Sequence, residues 1–139
     1  MWQGWFFLLL TIVLWGTTPI LEKSGLKSTD PATALFIRSC AVFFCMIVWF
    51  GLSGRIAQVV KLPAKTILIF CLSGLFAGFL AMLTYFKILK VNPTSKIVPL
   101  TSTYPLFTAV LSLLILKEGF SWQRIIGTIL IAGGVLLVR

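Results

Sequence analysis

The sequence predicts an all-α integral membrane protein of five transmembrane helices, and three observations carry that expectation. Of 139 residues, 59% are hydrophobic and only 11% are charged, whereas a soluble domain carries about 25% charged residues. The apolar residues gather into five runs, each near the ~20 residues needed to cross the hydrocarbon. The basic residues fall in short clusters between those runs, at the level expected of lipid headgroups.

The first run covers about residues 3–21 and ends at "LEKSG". It begins without a basic segment and has no small-residue cleavage site, so it is expected to be a retained helix rather than a signal peptide. The second, about 32–53, is opened by "TDPATA". There Thr29 or Asp30 can cap the helix, and Pro31 fits its first turn. The third runs from about 65 to 87. Before it, "GRIAQVVK" mixes apolar residues with Arg55 and Lys61 and suits the membrane interface. The fourth, about 94–116, is opened by "NPTS", and the fifth covers about 122–138. No segment between them is long enough for a soluble domain, so residues 1–139 are expected to form one compact membrane unit.

The net charge of +9 does not indicate nucleic-acid binding, because no segment outside the membrane could build a basic face. The chain has no histidine, which excludes His-based catalysis and His-rich metal sites. No nucleophile–base pair is visible from spacing, so an enzyme is the poorest fit and no metal or cofactor is expected. Cys40, Cys45 and Cys71 lie inside apolar runs without C-x-x-C spacing and read as buried structural thiols.

Five spans put the termini on opposite sides. Arg55, Lys61, Lys65, Lys117 and Arg124 then face one side, five cations against six on the other (Lys23, Lys27, Lys87, Lys90, Lys96 and Arg139). Arg38 lies within a span and is not counted. So small a bias hardly specifies an orientation. Either copies insert both ways and pair as an antiparallel homodimer, or one orientation is set by a partner or by charge position.

The fourth run contains "VPLTSTYPLFTAV". At about 100° per residue, Thr101, Tyr104, Pro105, Thr108 and Ser112 share one face. Pro105 has no N–H, so the Thr101 carbonyl on that face loses its helical donor. A polar stripe beside a freed acceptor can wall a ligand cavity. Hydroxyls bridging helices or bonding their own backbone are the competing reading. The first run repeats the pattern with Thr11, Trp15, Thr18 and Glu22, and Pro19 frees the Trp15 carbonyl; Trp15 can stack on a ligand or simply pack. In the third run Gly74, Gly78, Ala81 and Tyr85 line a face suited to close helix approach, with the Tyr85 hydroxyl at its mouth. Gly127, Ala132, Gly133 and Gly134 suggest a second close contact in the fifth run, either within the chain or at the seam of a dimer. Arg38 can pair with Glu22 or attract an anionic solute, and Glu118 beside Lys117 reads as an interfacial pair or cap. No acid lies near mid-membrane, which disfavours a proton-coupled cation pump.

Three stretches, "LWGTTPILEKSG" with the following "DP" and Arg38, "LTYFKILKVNPTSKIVPLTSTYPLFTAVLSLLILKE" and "WQRIIGTILIAGGVLLV", resemble a single EamA-type repeat of the drug/metabolite transporter superfamily. Most members of that superfamily carry two such repeats in tandem, the second inverted. The resemblance implies that two antiparallel copies rebuild a ten-helix arrangement in a bacterial or archaeal plasma membrane. It further implies alternating-access transport, in the export direction, of small amphipathic metabolites or drugs. The residues expected to meet the solute are Trp15, Thr18, Arg38, Tyr85, Thr101, Tyr104, Thr108 and Ser112, in a cavity lined by helices 1, 3 and 4 of two subunits. Expected partners are the solute, the lipid bilayer and a second copy of the chain. Two other readings stay open: an accessory subunit of a larger membrane complex, and a subunit of a lipid-carrier flippase.

Overall fold

The computed structural model describes residues 2–117, 119 and 121–137. Among them the chain is helical, without strands, and divides into two compact units, Met1–Val91 and Asn92–Arg139.

In the first unit, α1 (Trp2–Leu26) runs for 25 residues, about 37 Å at the rise of an α-helix, and carries Pro19 inside it. Pro31 opens α2 (Pro31–Ser53), which Asp30 caps: its carboxylate accepts from the N–H groups of Ala32 at 2.9 Å and Thr33 at 3.1 Å. Two of the orphan donors of the first turn are thereby satisfied. Gly54 ends α2 in the left-handed region at φ 63°, which costs an L side chain energy but glycine none. The short α3 (Ile56–Val60) follows, at the stretch expected to lie along the interface. Then α4 (Ala64–Ser73), a π-helical segment Gly74–Ala81 and α5 (Met82–Val91) form one apolar stretch of 28 residues.

The close packing of this unit sits at one end of its helices. α5 packs against both α1 and α2, and the buried apolar side chains are Leu26, Leu35, Phe86 and Leu89. Away from that knot the helices present apolar side chains outward, among them Trp15, Phe36, Phe43, Phe70 and Phe76. Water would not tolerate such surfaces; lipid does.

In the second unit the span expected to be continuous is broken. α6 (Thr94–Thr101) and α7 (Tyr104–Ile115) are separated by a turn at Ser102 and Thr103. Pro105 fits the first turn of α7, where no N–H is required. The last helix, α8 (Trp122–Leu136), packs against α6 and α7. Its 15 residues reach about 22 Å, short of the ~30 Å of hydrocarbon. Four stretches, Gly4–Leu26, Pro31–Ser53, Ala64–Val91 and Thr94–Ile115, are long and apolar enough to span a membrane. The expected Glu118 cap lies outside the described residues.

Two expectations about packing change. A Cβ added to Gly74, Gly78, Gly127, Gly133 or Gly134 would meet nothing within 4 Å, so among the described residues of its own unit none of these glycines makes a close helix contact. Cys45 and Cys71 are exposed and Cys40 is half-buried. A thiol is apolar enough to lie on a lipid-facing surface, which removes the need for burial.

Candidate functional site

The eight predicted solute-binding residues divide between the units: Trp15, Thr18, Arg38 and Tyr85 in the first, and Thr101, Tyr104, Thr108 and Ser112 in the second.

The second unit holds a cavity of about 630 Å³ between α7 and α8. Tyr104, Pro105, Thr108 and Ser112 line it from α7, and Gln123, Gly127 and Thr128 from α8. The helical spacing that placed the α7 residues on one face does bring them into one cavity. Thr101 lies beyond the turn, on α6, and does not line it. Gln123 and Thr128 were missed because a polar residue isolated in the short fifth run makes no stripe.

The hydroxyls have a common geometry. Thr108 Oγ1 donates to the Tyr104 carbonyl at 3.3 Å and Ser112 Oγ to Ala109 at 3.1 Å. Thr101 Oγ1 donates to Ile97 and Val98, and Thr18 Oγ1 to Leu14. Each proton is therefore committed to its own helix, as the backbone-bonding reading anticipated. The oxygens keep lone pairs, so these Thr and Ser hydroxyls offer acceptors rather than donors, while the Tyr104 hydroxyl can do either.

In the first unit, a cavity of about 480 Å³ is lined by Thr18, Leu21 and Glu22 of α1, Ser28 and Thr29 of the following turn, Ile37 and Arg38 of α2, and Phe86 of α5. The anticipated Glu22–Arg38 pair is present, with Arg38 Nε 3.5 Å from Glu22 Oε1. Tyr85 is half-buried on α5 and within electrostatic reach of Glu22. Trp15 is 68% exposed and, like Tyr85, lines neither cavity. Glu22 is thus the residue around which Thr18, Arg38 and Tyr85 gather. Its i+4 relation to Thr18 was legible in the sequence, but its enclosure by α2 and α5 was not.

Two lysines fasten this end of the unit. Lys23 Nζ donates to the carbonyls of Leu89 at 2.7 Å and Lys90 at 2.9 Å, and Lys90 Nζ donates to Thr29 at 2.9 Å. The last carbonyls of a helix have no internal donors, and its C-terminal dipole attracts cations. Lys23 supplies both to α5.

The sequence model of the EamA-like transporter family matches residues 2–139. A protein of Archaeoglobus fulgidus named as an uncharacterised transporter is 28% identical over 130 residues, which cover 94% of this chain and 46% of that protein. One from a Sinorhizobium species, also named as an uncharacterised transporter, is 27% identical over 137 residues, covering 98% and 96% respectively. An uncharacterised protein of Methanocaldococcus jannaschii is 25% identical over 130 residues, covering 94% and 91%. The chain therefore spans about half the length of the Archaeoglobus relative and nearly all of the other two. No solved structure gives a significant match.

Proposed function

The chain belongs to the EamA-like transporter family, and from that premise we propose that it carries small amphipathic metabolites or drugs out of the cell by alternating access. Two antiparallel copies would supply ten helices. The solute path would be walled by Trp15, Thr18, Arg38, Tyr85, Thr101, Tyr104, Thr108 and Ser112.

The observation that supports this reading best is the cavity between α7 and α8. Three of the proposed residues line it together with Gln123 and apolar side chains such as Leu113 and Ile131. Mixed polar and apolar lining of this size suits a small amphipathic molecule. Because Thr108 and Ser112 turn their protons to the backbone, the wall favours solutes that bring N–H or O–H donors of their own.

The test is efflux of a panel of labelled amphipathic solutes from vesicles containing the purified chain. Thr108→Val removes an acceptor with little change of volume, and Tyr104→Phe removes another. Each is expected to weaken the apparent affinity for a transported, donor-bearing solute about tenfold, the loss of one buried polar contact. If vesicles move none of the panel and the variants change only assembly, the accessory-subunit reading replaces this one.

A further inference from the structure

Glu22 and Arg38 form an ion pair that is not closed by a hydrogen bond. Arg38 Nε stands 3.5 Å from Glu22 Oε1, where a charge-assisted hydrogen bond is about 2.7–2.9 Å long. Oε1 is enclosed and receives no hydrogen bond, and the Glu22 side chain is only 10% exposed. A carboxylate oxygen left in that state is costly in an apolar setting. Arg38, by contrast, is 42% exposed and carries five N–H donors in a planar fork. A pair whose role ended with mutual neutralisation would close through that fork onto the carboxylate. This one stands open.

Both groups line the cavity of about 480 Å³ in the first unit. In one place, then, the cavity offers an acceptor that lacks a donor and a cation with donors to spare. A bare anion would satisfy Arg38 and worsen the position of Glu22; a bare cation would do the reverse. A ligand carrying both charges side by side satisfies both and leaves the net charge of the site unchanged.

We propose that this cavity binds a zwitterion with a primary ammonium next to a phosphate or carboxylate. The ammonium donates an N–H to the Glu22 carboxylate, and the anionic group receives the Arg38 guanidinium. A quaternary ammonium has no N–H and cannot satisfy Glu22, so the site discriminates against full methylation of the nitrogen. Two sources carry the required chemistry: the phosphoethanolamine headgroup of a membrane lipid, and a free amino zwitterion. The setting suits the first. Ser28 and Thr29 belong to the turn between α1 and α2, and Arg38 lies seven residues beyond Pro31, about 10 Å along the helix. That depth lies in the outer third of the span, from which the long Arg38 side chain can reach up to the headgroup level. Leu21 and Ile37, exposed at the wall of the cavity, give acyl chains an apolar surface. The inference rests on the pair and its cavity and does not require that the chain transport a solute.

Native mass spectrometry of the detergent-solubilised full chain tests it. Phosphatidylethanolamine and phosphatidylcholine with identical acyl chains are titrated separately, with free phosphoethanolamine and free serine as soluble arms. The wild-type chain is expected to bind phosphatidylethanolamine about tenfold more tightly than phosphatidylcholine, the effect of one hydrogen bond to a charged group. Glu22→Met and Arg38→Gln are each expected to abolish that preference. Binding of the soluble zwitterions, lost in the same variants, with neither lipid preferred would uphold the site and assign it to free ligands. Equal binding of the two lipids and no binding of the soluble zwitterions overturns the proposal from wild-type data alone, whether or not the variants fold. Efflux from vesicles is a separate readout, so either reading can fail without the other.

Discussion

Lys23 reaches from α1 to the last carbonyls of α5, a contact that a count of positive charges does not anticipate. Replacing it with Met keeps the apolar stem and removes the donors. Lys23→Met is expected to lower stability by about 1.5–3 kcal/mol, the range for hydrogen bonds to a charged group, as read from thermal denaturation in a mild detergent. Asp30 supplies a pH-dependent contact at the other element boundary. Hydrogen bonds from the Thr33 side chain, and then from the backbone N–H groups of Thr33 and Ala32, hold its carboxyl below the ordinary value of 3.8. A carboxyl lowered in the folded state contributes stability that is fully present above its unfolded value and lost as pH falls through the folded one. The stability difference between wild type and Asp30→Ala should therefore be constant near neutrality and shrink below about pH 3.8. A difference that persists unchanged in acid would mean that the charge of Asp30 contributes nothing to the cap.

Two of the spanning stretches depart from simple α-helix, and one of the departures bears on the site. The turn at Ser102 and Thr103 falls just ahead of Pro105 and sets α7 apart from α6, leaving Thr101 off the cavity that Tyr104, Thr108 and Ser112 line. Hydropathy reads this run as continuous; the break falls before Pro105, where the rule that proline suits the first turn of a helix accommodates it. The π-helical segment Gly74–Ala81 had no comparable signal, since its i→i+5 bonding leaves no mark in composition. Its glycines test how this element is used. A Cβ at Gly78 meets nothing within 4 Å, so Gly78→Ala is expected to stabilise the isolated chain by about 0.5–1 kcal/mol, by limiting the freedom of the unfolded backbone. Destabilisation in the same thermal assay would instead show that a second copy, or another chain, approaches this face closely.

For the whole molecule the open question is orientation. The cations divide five to six across the membrane on a five-span reading, which leaves the positive-inside rule little to act on. Reporters fused after Arg139, one active only in the cytoplasm and one only outside, should both give strong signal if copies insert in both directions. Signal from a single reporter would mean a fixed orientation, and the antiparallel pair would have to give way to a parallel dimer or an unlike partner. The apolar surfaces left outward by the first unit, from Trp15 and Phe36 to Phe76, leave room in either case for lipid or for another chain.

The sequence by itself determined the all-helical membrane class, the order of the apolar runs, a cap at Thr29 or Asp30 and the face shared by Tyr104, Thr108 and Ser112. Each of these follows from local rules: hydropathy over a window, spacing along a helix, or the chemistry of a turn. Tertiary structure alone decided that Lys23 caps α5, that α2 and α5 enclose Glu22 and leave one oxygen without a donor, and that Gln123 joins the cavity of α7. Those are meetings between residues far apart in the chain, and a periodicity of 3.6 residues carries no information about which helix lies alongside which. The glycine stripes mark the same boundary. Sequence identified a smooth face on Gly74 and Gly78, but only the packed structure shows that no described helix of the same unit occupies it.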